Sequence, residues 1–167
     1  MYITIEPIQK EEKEILKNLL EKYNYEFSQY DDIDVNNLGL FGYDYLDSYW
    51  TEENRYPFFI KVDGKLAGFV LINDHPEIKI ETNYSVAEFF VVYKYRKHGV
   101  GKYAAKYILN KFKGKWQVKV HPKNKISEHF WRKIIDEYTN GNYEFTENVP
   151  TAVCVGGALG HVFVFET

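Results

Sequence analysis

Apolar residues along this chain recur with two different periods, and the switches between the two mark out strands and helices in turn. Tyr2 to Ile5 reads as a short strand stopped at Pro7. From Gln9 to Tyr25, residues Ile15, Leu16, Leu19, Leu20 and Tyr23 fall at helical spacing, with charges on the other face. Tyr56 to Val62 and Lys65 to Ile72 are two strand-like runs joined by Asp63-Gly64. That dipeptide is favoured in two-residue hairpin turns because both central positions need positive φ. A polar segment containing Pro76 leads into a third run, Ala87 to Val92, aromatic and β-branched. Val100, Ala104, Tyr107, Ile108 and Phe112 then predict a helix up to the break at Gly114. Beyond it come a strand over Trp116 to Val120, a helix over Ile126 to Tyr138 ended at Gly141, and strands at Tyr143 to Phe145 and His161 to Phe165.

One stretch fits neither period. Between Tyr25 and Trp50, aromatics (Phe27, Tyr30, Phe41, Tyr43, Tyr45, Tyr49) alternate with acids (Glu26, Asp31, Asp32, Asp34, Asp44, Asp47), and Asp44 to Trp50 suits a short helix. Long aperiodic segments in compact domains are usually functional or disordered. The aromatic content argues against disorder. The element order predicts an α+β fold, a single domain over residues 1–167 with a mixed, largely antiparallel central sheet flanked by helices.

Composition narrows the function classes. Hydrophobic residues at 45% and charged residues at 27% are globular values. A net charge of -3 gives no reason to expect nucleic acid as a partner. The single cysteine, Cys154, excludes an internal disulfide framework and, lying between valines, reads as a small buried hydrophobe. His75, His121, His129 and His161 show no metal-ligand spacing, so no metal is expected. With no signal-like N-terminus and no membrane-spanning run, the expectation is a cytoplasmic protein without a membrane partner. A homodimer is compatible with the sequence.

The chemistry concentrates after the third strand, in Arg96-Lys97-His98-Gly99-Val100-Gly101-Lys102. Two glycines at a helix start clear side chains from backbone amides, and such amides attract phosphate. Arg96, Lys97, His98 and Lys102 add cationic or polar donors. A glycine pair after a strand also serves as a plain tight connection. The P-loop pattern is absent. Gly99-x-Gly101-x-x-Ala104 meets the dinucleotide fingerprint, but that fingerprint expects a carboxylate about 20 residues on. Val118-Lys119-Val120-His121 provides none.

The same residues resemble motif A of the GNAT superfamily of N-acetyltransferases, Arg/Gln-x-x-Gly-x-Gly/Ala. Asn124-Lys125-Ile126-Ser127-Glu128-His129-Phe130-Trp131 resembles the family's motif B, with Ser127 for alanine and Trp131 for tyrosine. The element order is also similar, so the resemblance covers nearly the whole chain. It implies acetyl-CoA as co-substrate, its pyrophosphate on the turn at Arg96 to Lys102. The backbone of Phe89, Phe90 and Val91 would run along the pantetheine, with one amide polarising the thioester carbonyl. Asn124 would hydrogen-bond the pantetheine arm, although asparagine there equally suits a helix N-cap. Ser127, Phe130 and Trp131 would pack near the cofactor.

In many relatives the tyrosine of motif B protonates the departing thiolate, which an indole cannot do. Releasing a thiolate of pKa about 8.5 at neutral pH costs about 2 kcal/mol, so water or another tyrosine suffices. Amine acetylation also needs a base to remove the ammonium proton. Glu88 is the candidate, since strand alternation places it with Phe90 on one face and Phe89 with Val91 on the other. A surface glutamate paired with lysine is the plainer alternative. The acidic, aromatic stretch before the hairpin would receive a small cationic amine, such as an aminoglycoside-like, polyamine-like or amino-acid-like molecule. A solvated acidic loop, or a basic peptide acceptor, fits the same residues. Competing readings are a catalytically silent acyl-CoA-binding module and an NAD-binding oxidoreductase.

Overall fold

The computed structural model describes residues 1–167. The chain forms β1 (Ile3–Pro7), α1 (Lys13–Asp31), α2 (Ser48–Thr51), β2 (Tyr56–Val62), β3 (Lys65–Asn73) and β4 (Tyr84–Val91). It continues through α3 (Val100–Lys111), β5 (Lys115–Val120), α4 (Lys125–Thr139), β6 (Tyr143–Thr146) and β7 (His161–Glu166). All seven strands join one sheet in the order β1-β2-β3-β4-β5-β7-β6. Every neighbouring pair is antiparallel except β4–β5, which the α3 crossover makes parallel. This is the mixed, largely antiparallel sheet that the sequence implies.

The hairpin turn takes the predicted form, with Asp63 at φ 49° and Gly64 at φ 75°. β1 runs through Pro7, which is tolerated because β1 is an edge strand. Helix α1 extends six residues beyond the expected stop at Tyr25, and it ends where Asp32 turns left-handed at φ 51°. The first quarter of the aperiodic stretch is therefore helical, and the short helix within its remainder shrinks to Ser48–Thr51.

Alternation along the strands divides the interior into two cores. Phe58, Ile60, Val70, Ile72 and Val91 meet α3 and α4 on one face, where Ala104, Ile108 and Ile135 are buried. On the other, Phe59, Phe69, Leu71 and Phe90 meet α1 and the segment after it through Leu16, Leu20 and Leu46. The two cores share the sheet as a common wall, and both exclude water from sizeable apolar area at roughly 25 cal/mol per Å².

Strand β4 departs from regular pairing on both of its edges. On the β3 side the register slips so that Leu71 faces Glu88 while Ile72 faces Val86, leaving Ala87 as the extra residue of a bulge. A bulge re-aims side chains, and Glu88 here points to the α1 face. On the other side, β4 pairs with β5 at Tyr84, Ser85 and Val86 and then parts from it.

Candidate active site

The gap left where β4 and β5 separate opens into a cleft of about 690 Å³. Its floor is Glu88 and Phe89 on β4 with Lys119 and Val120 on β5, and Ser127 and Trp131 of α4 close one end. Backbone polarity along this floor follows from register. Val92 N–H donates to Ala67 O at 2.7 Å, toward β3. By alternation, the N–H groups of Phe89 and Val91 face the open edge, where β5 no longer supplies acceptors.

Glu88 stands at the centre of the cleft. Tyr23 of α1 donates its hydroxyl to one carboxylate oxygen, and Tyr43 donates to the other at 3.2 Å. Burial pushes the Glu88 carboxyl up to about 7 against the opposing effect of these two donors. Burial first, and the neighbouring carboxylate second, raise the phenols of Tyr23 and Tyr43, which keeps both as donors. Glu88 is thus a carboxylate able to hold or release a proton near neutrality. The alternative of a surface ion pair with lysine does not form. Sequence reasoning misses its two tyrosine partners: Tyr43 is legible as an aromatic of the aperiodic stretch, but Tyr23 looks like an ordinary core position on α1.

The turn after β4 reaches α3 through Lys97 at φ 64° and Gly99 at φ 80°. A side chain at Gly99 would meet no neighbour, so its glycine answers to the left-handed backbone. The first amide to close onto the helix is Tyr103 N–H, at Gly99 O (2.9 Å). The N–H groups of Val100, Gly101 and Lys102 before it project from the helix start, as an anion site requires. Gly101 has a different reason: a Cβ there would lie 3.1 Å from the Phe130 ring, so the residue lets α4 pack against α3. Gly99 and Lys102 line a shallow groove of about 400 Å³ with Tyr103, Lys106 and Asn110.

The cations around the turn differ in their freedom. Arg96 is engaged within the chain: Nε donates to Val91 O at 2.6 Å, and Nη2 donates to both oxygens of Glu26 at 2.6 and 2.8 Å. Lys102 pairs with Glu137 at 2.7 Å. Lys97 and His98 are exposed. Asn124 caps α4, accepting from Ser127 N–H at 3.0 Å, which leaves its amide NH₂ for other partners. Phe130 and Trp131 pack against Phe89, the first tilted and the second edge-on, ring centroids 5.5 and 5.2 Å apart. Trp131 is buried against the α3–α4 core, a sufficient packing reason for its size.

Three of the six acids of the aperiodic stretch are committed elsewhere. Glu26 holds Arg96, and Asp47 holds Lys13 at 2.7 Å. Asp31 is buried and accepts from His121 Nε2 and from Gly156 N–H, each at 3.1 Å. Asp44 remains on the cleft wall. Asp31, His121 and Cys154 come together with potential ligand atoms within 4.8 Å of one another, a grouping the spacing along the chain conceals. Lys123 N–H donates to His121 Nδ1 at 3.1 Å, which assigns the ring proton to Nε2 and directs it at Asp31. Both ring nitrogens are therefore taken by hydrogen bonds, and burial pushes the Cys154 thiol up, away from thiolate. The grouping is a clasp joining the ends of α1 and β5 to the β6–β7 loop.

A family model described as the acetyltransferase (GNAT) family matches residues 13–135. Solved structures of similar fold include an acetyltransferase from Thermus thermophilus, with TM-score 0.69 and 11% identity over 100% of this chain and 98% of that one. The ribosomal-protein-S18-alanine N-acetyltransferase of Escherichia coli aligns with TM-score 0.62 and 10% identity over 99% and 94%. AAC(6')-Iy, in complex with the bisubstrate analogue CoA-S-monomethyl-acetylneamine, aligns with TM-score 0.57 and 18% identity over 80% and 90%. No curated protein matches the sequence.

Proposed function

The chain belongs to the GNAT family of acetyltransferases, and on that premise we propose that it moves an acetyl group from acetyl-CoA to a primary amine. The observation that carries this reading is the position of Glu88, a carboxyl of pKa about 7 on the wall of the cleft where β4 parts from β5.

The residues present fit the carrier. Projecting amides of Val100, Gly101 and Lys102, with Lys97 and His98 beside them, suit the pyrophosphate. The open edge of β4 at Phe89 and Val91, with Ser127 on the cleft lining and Phe130 against Phe89, suits the pantetheine arm, toward which the Asn124 amide would donate. Arg96 supports this turn from behind through Val91 and Glu26. When bound, acetyl-CoA supplies the activated acetyl group.

Glu88, when deprotonated, accepts a proton from the substrate ammonium directly or through one water, leaving a neutral amine as nucleophile. The Tyr23 and Tyr43 hydroxyls fix the orientation of its carboxylate. An N–H of Phe89 or Val91 donates to the carbonyl oxygen as negative charge develops there. Trp131 carries no transferable proton, so water or a cleft tyrosine returns one to the thiolate. The carboxylates of Asp44 and Glu88, with the faces of Phe27, Phe41 and Tyr43, favour a small cationic acceptor.

A screen of amines with acetyl-CoA, read by release of free thiol, tests the reading. Thiol release that depends on amine supports it. Tight acetyl-CoA binding without transfer to any amine would replace it with a silent acyl-CoA-binding module.

A further inference from the structure

We propose that the amine acceptor also carries a carboxylate, and that Arg55 is the residue that recognises it. The inference rests on the acetyl-transfer reading and narrows its substrate class to amino acids or similar zwitterionic amines.

Arg55 enters β2 just before Tyr56, whose ring packs on the α3–α4 side. Alternation turns Arg55 to the opposite face, the one that Glu88 occupies. Its side chain is 7% exposed, and Nε donates to Glu52 at 2.7 Å. The guanidinium lies over the Tyr49 ring at 5.5 Å and the Tyr45 ring at 6.0 Å. Nη2 is 3.4 Å from His75 Nε2. Nη1 makes no hydrogen bond within the chain and is not sealed from solvent. Arg55, Asn73 and His75 line the same cleft as Glu88. Glu52 is not among the lining residues, so its carboxylate holds Nε from outside the cleft. With Nε held by Glu52 and Nη2 beside His75, Nη1 is the nitrogen of this always-charged group left to donate to a carboxylate in the cleft that Arg55 lines.

Placement supplies the spacing. Leu71 faces Glu88, and Ile72 faces Tyr56, which sets Arg55 level with Asn73. The two backbones are offset by about 7 Å along the strands and about 10 Å across two strand spacings. Side chains converging from those positions can hold the two ends of one small molecule. Tyr43, bonded to Glu88, and Tyr45, beneath Arg55, belong to one three-residue stretch that ties these ends together. The cleft lysine, Lys119, is matched inside the cleft by Glu77 at 2.9 Å. Glu52 already offsets the charge of Arg55, so what the guanidinium offers the cleft is a fixed donor, Nη1, whose natural partner is a carboxylate. The amine end then lies toward Asp44 and Glu88, and the carboxylate end toward Arg55.

The test compares free amino acids with their carboxamides, which keep the amine and remove the negative charge. Acetyl transfer is followed by thiol release. Binding of N-acetyl amino acids and N-acetyl amino amides to the CoA-loaded protein is measured by calorimetry. We expect kcat/KM at least tenfold higher for the acids, with the ratio falling to within twofold in Arg55→Gln while CoA affinity is unchanged. Should that variant fold poorly, the acid-to-amide ratio in the native protein still decides. Equal or better transfer to amides overturns the role of Arg55 and leaves acetyl transfer standing. Selective binding of the N-acetyl acids without turnover supports the carboxylate site while rejecting the transfer reading. Neither turnover nor selective binding rejects both.

Discussion

Arg96 and Glu26 are locked together, the guanidinium donating to both carboxylate oxygens at 2.6 and 2.8 Å. Because Nε of the same arginine holds Val91 O at 2.6 Å, the pair ties α1 to the end of β4. A residue whose position in the motif suggests a phosphate donor is thus occupied in holding the turn. Arg96→Ala is expected to lower stability by about 1 kcal/mol, since the pair is partly exposed. It should weaken CoA by less than tenfold, because backbone amides remain in place. Glu26→Gln should reproduce the stability loss, and the double variant should be no worse than Arg96→Ala. Additive losses in denaturation would show that the two side chains act separately.

Glu88 offers opposite pH signatures for rate and for stability. As the base it must be deprotonated, so the rate should climb through about pH 7 and level off above. The folded protein retains the Glu88 proton between 4.5 and about 7 while the unfolded chain releases it. Stability therefore falls as pH rises through that window, by on the order of 3 kcal/mol. Glu88→Gln should cut turnover at least 100-fold with acetyl-CoA affinity nearly unchanged. The same variant should raise Tm above pH 7 and not at pH 4. An undiminished rate removes Glu88 from the mechanism.

The two glycines of the turn should respond differently. Gly99→Ala costs about 1 kcal/mol for the left-handed backbone at φ 80°, with no collision. Gly101→Val drives a side chain into Phe130, whose ring leans on Phe89 and Trp131, so the disturbance reaches the cleft. The Gly99→Val, Gly101→Val double variant should lose CoA affinity more than 100-fold by calorimetry. A folded double variant that binds CoA normally removes the turn from the site.

The clasp at Asp31 predicts a stability effect without chemistry. Asp31→Ala leaves His121 Nε2–H and Gly156 N–H without their acceptor. Two stranded donors at a buried site amount to about 2–4 kcal/mol in chemical denaturation. Asp31→Asn keeps one acceptor oxygen and should recover most of that. Gly156→Ala should be at least as damaging, since its Cβ would fall 2.1 Å from Asp31 O.

Legibility in the sequence tracks the range of the interaction. The hairpin is readable because Asp63 and Gly64 settle their own dihedrals. Glu88 is readable because a carboxylate in an apolar strand before a glycine turn stands out. The far end of α1 is not, since Asp31 breaks the apolar stripe at a buried position. Its reason for being there is His121, 90 residues away. Tyr23 and Tyr43 are hidden in the same way, reaching Glu88 from segments 65 and 45 residues distant. Gly101 is placed in the right element for a reason that only the position of the Phe130 ring reveals.

Three residue pairs, Tyr84 to Val86 against Trp116 to Val118, are all that stitch β4 to β5. The sheet is in effect two leaves sharing a short seam, and a molecule laid along the gap would extend that seam. Amide exchange at Phe89, Val91 and Lys119 should therefore slow on occupancy, well before any acceptor arrives. The empty and filled protein would differ most in how freely these leaves flex, so resistance to proteolysis becomes a gauge of occupancy.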